Sequence, residues 1–220
     1  MIIIKYTKSY LLRNKKIGVT ILGQIERRFE IRELKKQDLL VAAENKFFKN
    51  GFETTTIDEI AKEAEYSKKT LYAYFDSKNQ IYFEIMLRGY KQLLEMIQIQ
   101  QQESHPLNSS QHFAEFWKAF DNFSGTHKGY LNAIIFFESC DEQIQDTYKV
   151  AEYQQLRQEL LDSLLEFFEF KTDTFKMKSE LLWQFVLSTG QSALGNPEKS
   201  QLILQTGYEL LSSMVDQQLS

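Results

Sequence analysis

Apolar residues recur at three- and four-residue spacing through most of the chain from Lys35 onward, the period of helices with one buried face. Leu39, Leu40, Ala43, Phe47 and Phe48 form the first such stripe, and Asn50-Gly51 supplies a stop that tolerates a left-handed backbone. Thr56-Ile57-Asp58-Glu59 has the spacing of a capping box and starts a short second helix to about Ala64. Ser67 caps a third beginning at Lys68, only a few residues later. Ser77-Lys78-Asn79-Gln80 is a further capping box, opening a long helix through Ile81, Ile85, Leu87, Leu93, Leu94 and Ile97.

Gln100 to Ser110, with Pro106, reads as a linker. Phe113, Phe116, Trp117, Phe120 and Phe123 then share one face as far as Ser124-Gly125, and another helix starts after Gly129. A single long helix is expected over Ile144 to Phe170. A two-helix hairpin ends the chain, about Phe175 to Leu194 and Pro197 to Gln218. Gly195, Asn196 and Pro197 stand between its arms as C′ glycine, N-cap and first-turn proline. Leu181, Leu182, Phe185, Val186, Leu202, Leu204, Leu210, Leu211 and Met214 exceed what one narrow core-facing stripe needs, so the hairpin is expected to form a homodimer interface, the other reading being a buried terminal hairpin in a monomer.

The fold class predicted is all-α. It comprises an extension over 1–32, a small helical domain over 33–80, and a larger helical domain over 81–220. Composition agrees, with two prolines, nine glycines and 43% apolar residues in 220. The extension has no clear period. It reads either as a basic arm for an adjacent groove or as an unordered tail.

Net charge is −4, but its distribution is uneven. Residues 1–36 hold ten Lys/Arg against three acids, and the remainder holds 16 against 27. A basic head on an acidic body suits a DNA-binding module better than the net charge suggests. One cysteine, Cys140, excludes an intramolecular disulfide and fits a reducing cytoplasm. No apolar run is long enough for a membrane span or a signal peptide, so no membrane partner is expected. His105, His112 and His127 show no metal-ligand spacing, and no cofactor is expected. Neither a nucleophile elbow, a phosphate loop nor a zinc-protease pair is present, which counts against an all-α enzyme.

A helix-turn-helix needs a small residue where its helices cross, apolar residues that lock the pair, and a polar outer face on the second helix. Ala61 is the crossing residue, and Ile57, Ile60, Ala64, Tyr66, Leu71 and Tyr74 lock the pair. Ser67, Lys68, Lys69, Thr70, Tyr72 and Ala73 are left for the major groove, and Lys78 for a phosphate.

The stretches Gly51-Phe52-Glu53-Thr54-Thr55-Thr56-Ile57-Asp58-Glu59-Ile60-Ala61-Lys62-Glu63-Ala64 and Ser67-Lys68-Lys69-Thr70-Leu71-Tyr72-Ala73-Tyr74-Phe75-Asp76-Ser77-Lys78 resemble the TetR regulators. The resemblance covers about residues 37 to 85 by motif. It implies a homodimer that binds a palindromic operator and leaves it when a small molecule occupies the C-terminal domain. Carried over by position, Thr55 or Thr56, Lys68, Thr70, Tyr72, Tyr74 and Lys78 look like the DNA contacts. Three departures stand out. Glu65-Tyr66 replaces the usual Gly-Val of the turn, Lys69 a common glycine, and Ala73 a common histidine, so the operator sequence does not transfer from relatives.

The aromatic C-terminal half suggests a hydrophobic or planar effector of unknown identity, with Trp117, Phe120, Phe137 and Trp183 as the pocket residues. The alternative is a non-inducible DNA-binding protein or adaptor with the same fold.

Overall fold

The computed structural model describes residues 15–102, 109–139, 149–165 and 175–216, with side chains over 23–101, 110–139, 149–164 and 177–213. Among them every regular element is helical: α1 (Lys15–Asn50), α2 (Ile57–Glu63), α3 (Lys68–Tyr72), α4 (Lys78–Gln102), α5 (Ser109–Thr126), α6 (Lys128–Glu138), α7 (Val150–Leu165), α8 (Phe175–Gly195), a 3-10 turn (Pro197–Lys199) and α9 (Ser200–Asp216). Residues 1–14, His105, Pro106, Cys140 and the outer parts of the helix expected over 144–170 lie outside the described residues.

The chain folds as a small head on a helical body. In the head, Leu39, Leu40, Ala43 and Phe47 of α1 close over Ile60 and Ala61 of α2, Leu71 of α3 and Phe75, all buried. Helix α4 is the spine of the molecule, because one end packs on α1 and the rest lies against α5, α6 and α7. Its residues 81 to 87 are all buried, so these nearly two turns have no solvent face. Helices α8 and α9 pair with each other and lean on α7 and α5 respectively. Two glycines permit close approach in this body. A Cβ on Gly190 would stand 2.9 Å from Phe120, and one on Gly207 2.6 Å from Thr189.

Two expectations require correction. The first helix starts at Lys15, twenty residues before the point where periodicity makes it visible. Residues 23–32 are all exposed, so no burial pattern marks them. At the C-terminal hairpin, Gly195 is the last helical residue and does not have a positive φ, so it is no C′ glycine. Asn196 precedes the 3-10 turn without a side-chain cap, and Pro197 takes the first position.

Candidate DNA-binding site

Local chemistry sets the angle between α2 and α3. The Thr56 hydroxyl accepts from the Glu59 N–H at 3.3 Å, and the Thr56 N–H donates to the Glu59 carboxylate at 2.8 Å, which completes the capping box. These bonds, the Thr56 side chain foremost, hold the Glu59 carboxyl below its usual pKa. Helix α2 ends in a Schellman turn, in which the Tyr66 N–H donates to Ala61 O at 2.9 Å and the Glu65 N–H to Lys62 O at 3.1 Å. Glu65 occupies the left-handed position of that turn with φ +59°. A Cβ therefore stands at a position whose backbone favours glycine. Ser67 then caps α3 by accepting from the Thr70 N–H at 3.0 Å.

The expected contact residues fall into three groups. Ser67, Lys68, Lys69, Tyr72 and Ala73 are exposed along the outer side of α3. Lys68 lies 3.0 Å from Asp58, an exposed pair that raises the ammonium pKa by hydrogen bonding and leaves it displaceable by a phosphate. Among the described residues Lys69 has no ion-pair partner. Thr56 and Thr70 sit at the edge of this face, each hydroxyl already engaged in a cap, and half-buried Tyr74 lies under Arg32, 5.0 Å from its ring centroid.

Thr55 and Lys78 face inward. Thr55 is only 1% exposed, and its hydroxyl donates to Gly51 O at 2.8 Å and Lys46 O at 3.3 Å. The Lys78 ammonium donates to Phe52 O at 2.9 Å and Thr55 O at 3.2 Å and lies 4.3 Å from the Phe52 ring centroid. Both serve the loop between α1 and α2, in which carbonyls with no helical partner need donors.

The head is joined to the body by a charged seam and an aromatic one. Buried Glu84 of α4 receives Lys36 of α1 at 2.7 Å and Lys149, just before α7, at 2.9 Å. Lys149 also reaches Glu152 at 3.2 Å, which Lys91 approaches at 2.6 Å. Arg88 of α4 holds Glu44 of α1 at 2.8 Å. Burial opposes the charge on Lys149, but Glu84 and Glu152 outweigh it and its pKa rises. Beside this seam Phe52 stacks on Tyr82 at 4.7 Å and touches Phe136 at 4.9 Å, and Phe48 meets Tyr130 edge-on.

In the body, the four expected pocket residues are all buried, in two groups. Trp117 and Phe120 pack together with Phe113 and Tyr208. Phe137 and Trp183 lie at the two ends of a ring chain running through Phe83, Tyr153 and Tyr90. Along this chain lies a polar cluster that sequence reasoning missed. Glu138 accepts from the hydroxyls of Tyr90 and Tyr153 and from Arg157 Nε at 2.9 Å, while Arg157 forks onto Glu180 at 2.8 and 2.5 Å. Burial pushes the Tyr90 hydroxyl far above its usual pKa, and the Glu180 bonds push Arg157 up. Trp183 is wholly buried, and its indole N–H meets no acceptor among the described residues. Only residue type hinted at this cluster, since its members come from four helices and no local spacing links them.

A three-helix head with an exposed polar second helix in its turn motif, packed on a helical body, has the arrangement of a helix-turn-helix DNA-binding domain. Residues 39–85 match the family described as bacterial regulatory proteins, tetR family. YhgD, an HTH-type transcriptional regulator of Bacillus subtilis (strain 168), is 31% identical over 107 residues, covering 49% of this chain and 54% of YhgD. The chain thus spans about half the length of that curated relative. Among solved structures, a TetR-like transcriptional regulator from Rhodococcus sp. RHA1 superposes with TM-score 0.57 at 21% identity, covering 84% of this chain and 95% of its own. The regulator FadR from Bacillus subtilis in complex with stearoyl-CoA gives 0.58 at 18%, covering 81% and 98%. At these identities the structures establish the shared fold. Among the described residues no helix is long and apolar enough to cross a membrane.

Proposed function

We propose that the chain is a ligand-responsive repressor that binds a palindromic operator as a homodimer and is released by a small molecule. The head over 33–80 reads the operator, and the body over 81–220 dimerises and senses. The observation that carries this reading is the outer face of α3, where Lys68, Lys69, Tyr72 and Ala73 stand exposed while Leu71 behind them is fully buried. Lys68 and Lys69 supply charge and hydrogen bonds, Tyr72 a phosphate or base contact, and the Ala73 methyl an apolar contact for a thymine.

Homodimerisation is supported by the apolar side chains that α8 and α9 leave in solvent. Met177, Leu181 and Leu202 are about two-thirds exposed, with Leu210 and Phe185 beside them. Such a stripe costs free energy in a monomer and suits a self-complementary contact.

We assign the effector site to the ring chain and its polar cluster, where the Trp183 indole N–H meets no acceptor among the described residues and Tyr90, Glu138, Tyr153 and Arg157 offer polar partners within aromatic walls. FadR of Bacillus subtilis was solved with stearoyl-CoA, and a long apolar ligand is compatible with an interior of this composition. The coupling route is the Lys36–Glu84–Lys149 seam, since Lys149 leads into α7, which carries Tyr153 and Arg157.

The test is fluorescence anisotropy with the chain's own upstream DNA against scrambled DNA across a salt series, for the wild type and a Lys68→Ala/Tyr72→Ala variant. Preference for the upstream fragment, lost in the variant, is expected. Equal affinity for both DNAs would point instead to the non-inducible adaptor.

A further inference from the structure

In the part of α1 that precedes the head core, three cations share one face and three carboxylates the opposite one, with exposed Arg27 between the two. At about 100° per residue, Arg28, Arg32 and Lys35 fall within an arc of about 60°, and Glu26, Glu30 and Glu33 fall within a similar arc on the opposite side. All these residues except half-buried Glu33 are exposed. Among the described residues none pairs with Arg28 or Lys35, and no ion pair crosses between the two arcs. A helix stabilised in water by its own charges would alternate signs at three- and four-residue spacing, whereas here Arg28–Arg32 and Glu26–Glu30 are like-charge pairs at i,i+4, mildly unfavourable in isolation.

The basic stripe is continuous with the recognition helix. The Arg32 guanidinium donates to the carbonyl of Ala73, the C-cap of α3, at 3.3 Å and lies over the Tyr74 ring. Arg28 stands one turn further out on the same side, and Lys35 one turn back. We infer that this overhanging segment of α1 is a second DNA-contacting surface, which lays Arg28, Arg32 and Lys35 along the phosphate backbone beside the groove occupied by α3. The occupant is double-stranded DNA, read through its phosphates and without sequence preference. Charge complementarity selects it. A second copy docking on itself through this stripe would set like charges opposite one another, although exposed Ile25 and Phe29 lie beside it.

The inference rests on operator binding by α3, and the experiment separates the two. Arg28→Gln/Lys35→Gln is compared with wild type and with Glu26→Gln/Glu30→Gln, which alters net charge on the opposite face. Each protein is titrated onto the upstream fragment and onto scrambled DNA from low to high salt. The steepness of log K against log salt is expected to fall by about 0.9 per phosphate contact, roughly 3.6 for two residues in each subunit of a dimer. The ratio of specific to scrambled affinity should stay at the wild-type value, and the acidic-face variant should keep the wild-type slope. A basic-face variant with the wild-type slope would overturn the inference while leaving operator binding intact. So would an equal and opposite slope change in the acidic-face variant, which would reduce the effect to net charge, or loss of dimer in the basic-face variant, which would assign the stripe to self-association. Failure of the wild type to prefer the upstream fragment would instead strike the reading on which the inference rests.

Discussion

Glu65 is held left-handed at the C′ position of the Schellman turn, between the two helices whose angle defines the DNA-binding motif. An L side chain in this conformation costs about 1 to 2 kcal/mol. Glycine removes that strain but adds about 0.5 to 1 kcal/mol of unfolded-chain entropy. Glu65→Gly should therefore stabilise the head by about 0.5 to 1 kcal/mol relative to Glu65→Ala, which keeps the Cβ while removing the carboxylate. Comparison with alanine isolates the backbone from the repulsion between an acidic side chain and the carbonyl end of α2. Amide hydrogen exchange over residues 57–75 is the sensitive assay, because a gain of this size slows opening by roughly two- to fivefold. In a thermal melt of a 220-residue chain it appears as a rise of only about 1 to 4 °C. A glycine variant that exchanges as fast as the alanine variant would refute the left-handed turn at this position.

Other consequences follow from named contacts. Thr56→Ala should destabilise the head by about 1 kcal/mol through loss of the cap. Because the Thr56 bonds depress the Glu59 pKa, their stabilisation is complete above the ordinary carboxylate range and is lost as pH falls through the folded-state value. The gap between wild type and variant in denaturant melts should thus narrow on acidification. Arg157→Ala leaves Glu138 and Glu180 facing each other with little solvent and should cost on the order of 3 kcal/mol in chemical denaturation, most of it regained in Arg157→Ala/Glu138→Gln/Glu180→Gln. Gly129→Ala places a methyl inside the Phe48 ring and should cost about 1 to 3 kcal/mol of overpacking at the seam between head and body. Lys78→Met should lower thermal stability as well as DNA affinity, since the ammonium holds three loop carbonyls; a pure affinity loss would make it a phosphate contact alone.

Legibility in the sequence followed locality. Thr56, Ser67 and Gly51 act within a few residues of themselves, so their caps and turn were readable, as was the misfit of Glu65. The Ser77 cap was readable in half. Its hydroxyl accepts from the Gln80 N–H at 3.1 Å, but the Gln80 side chain reaches Asp76 rather than Ser77. Elements that bury nothing left no periodic trace, which is why the outer turns of α1 were missed. Residues chosen by type alone divided according to tertiary setting. Lys68 and Lys69 stand outward, whereas Thr55 and Lys78 turn inward because the loop beside them has carbonyls to satisfy. The Glu138–Arg157–Glu180 cluster joins residues up to 42 apart in sequence on separate helices, and only the packed body brings them together.

The central claim is that two heads, presented by one dimer, read a symmetric site with α3. Nuclease footprinting of the upstream fragment tests it most directly. The account predicts a protected segment with two-fold symmetric half-sites about one helical turn, or a multiple of it, apart, occupied by an even number of chains and lost in Lys68→Ala/Tyr72→Ala. Uniform protection along the fragment, or a footprint that survives this variant, would contradict it.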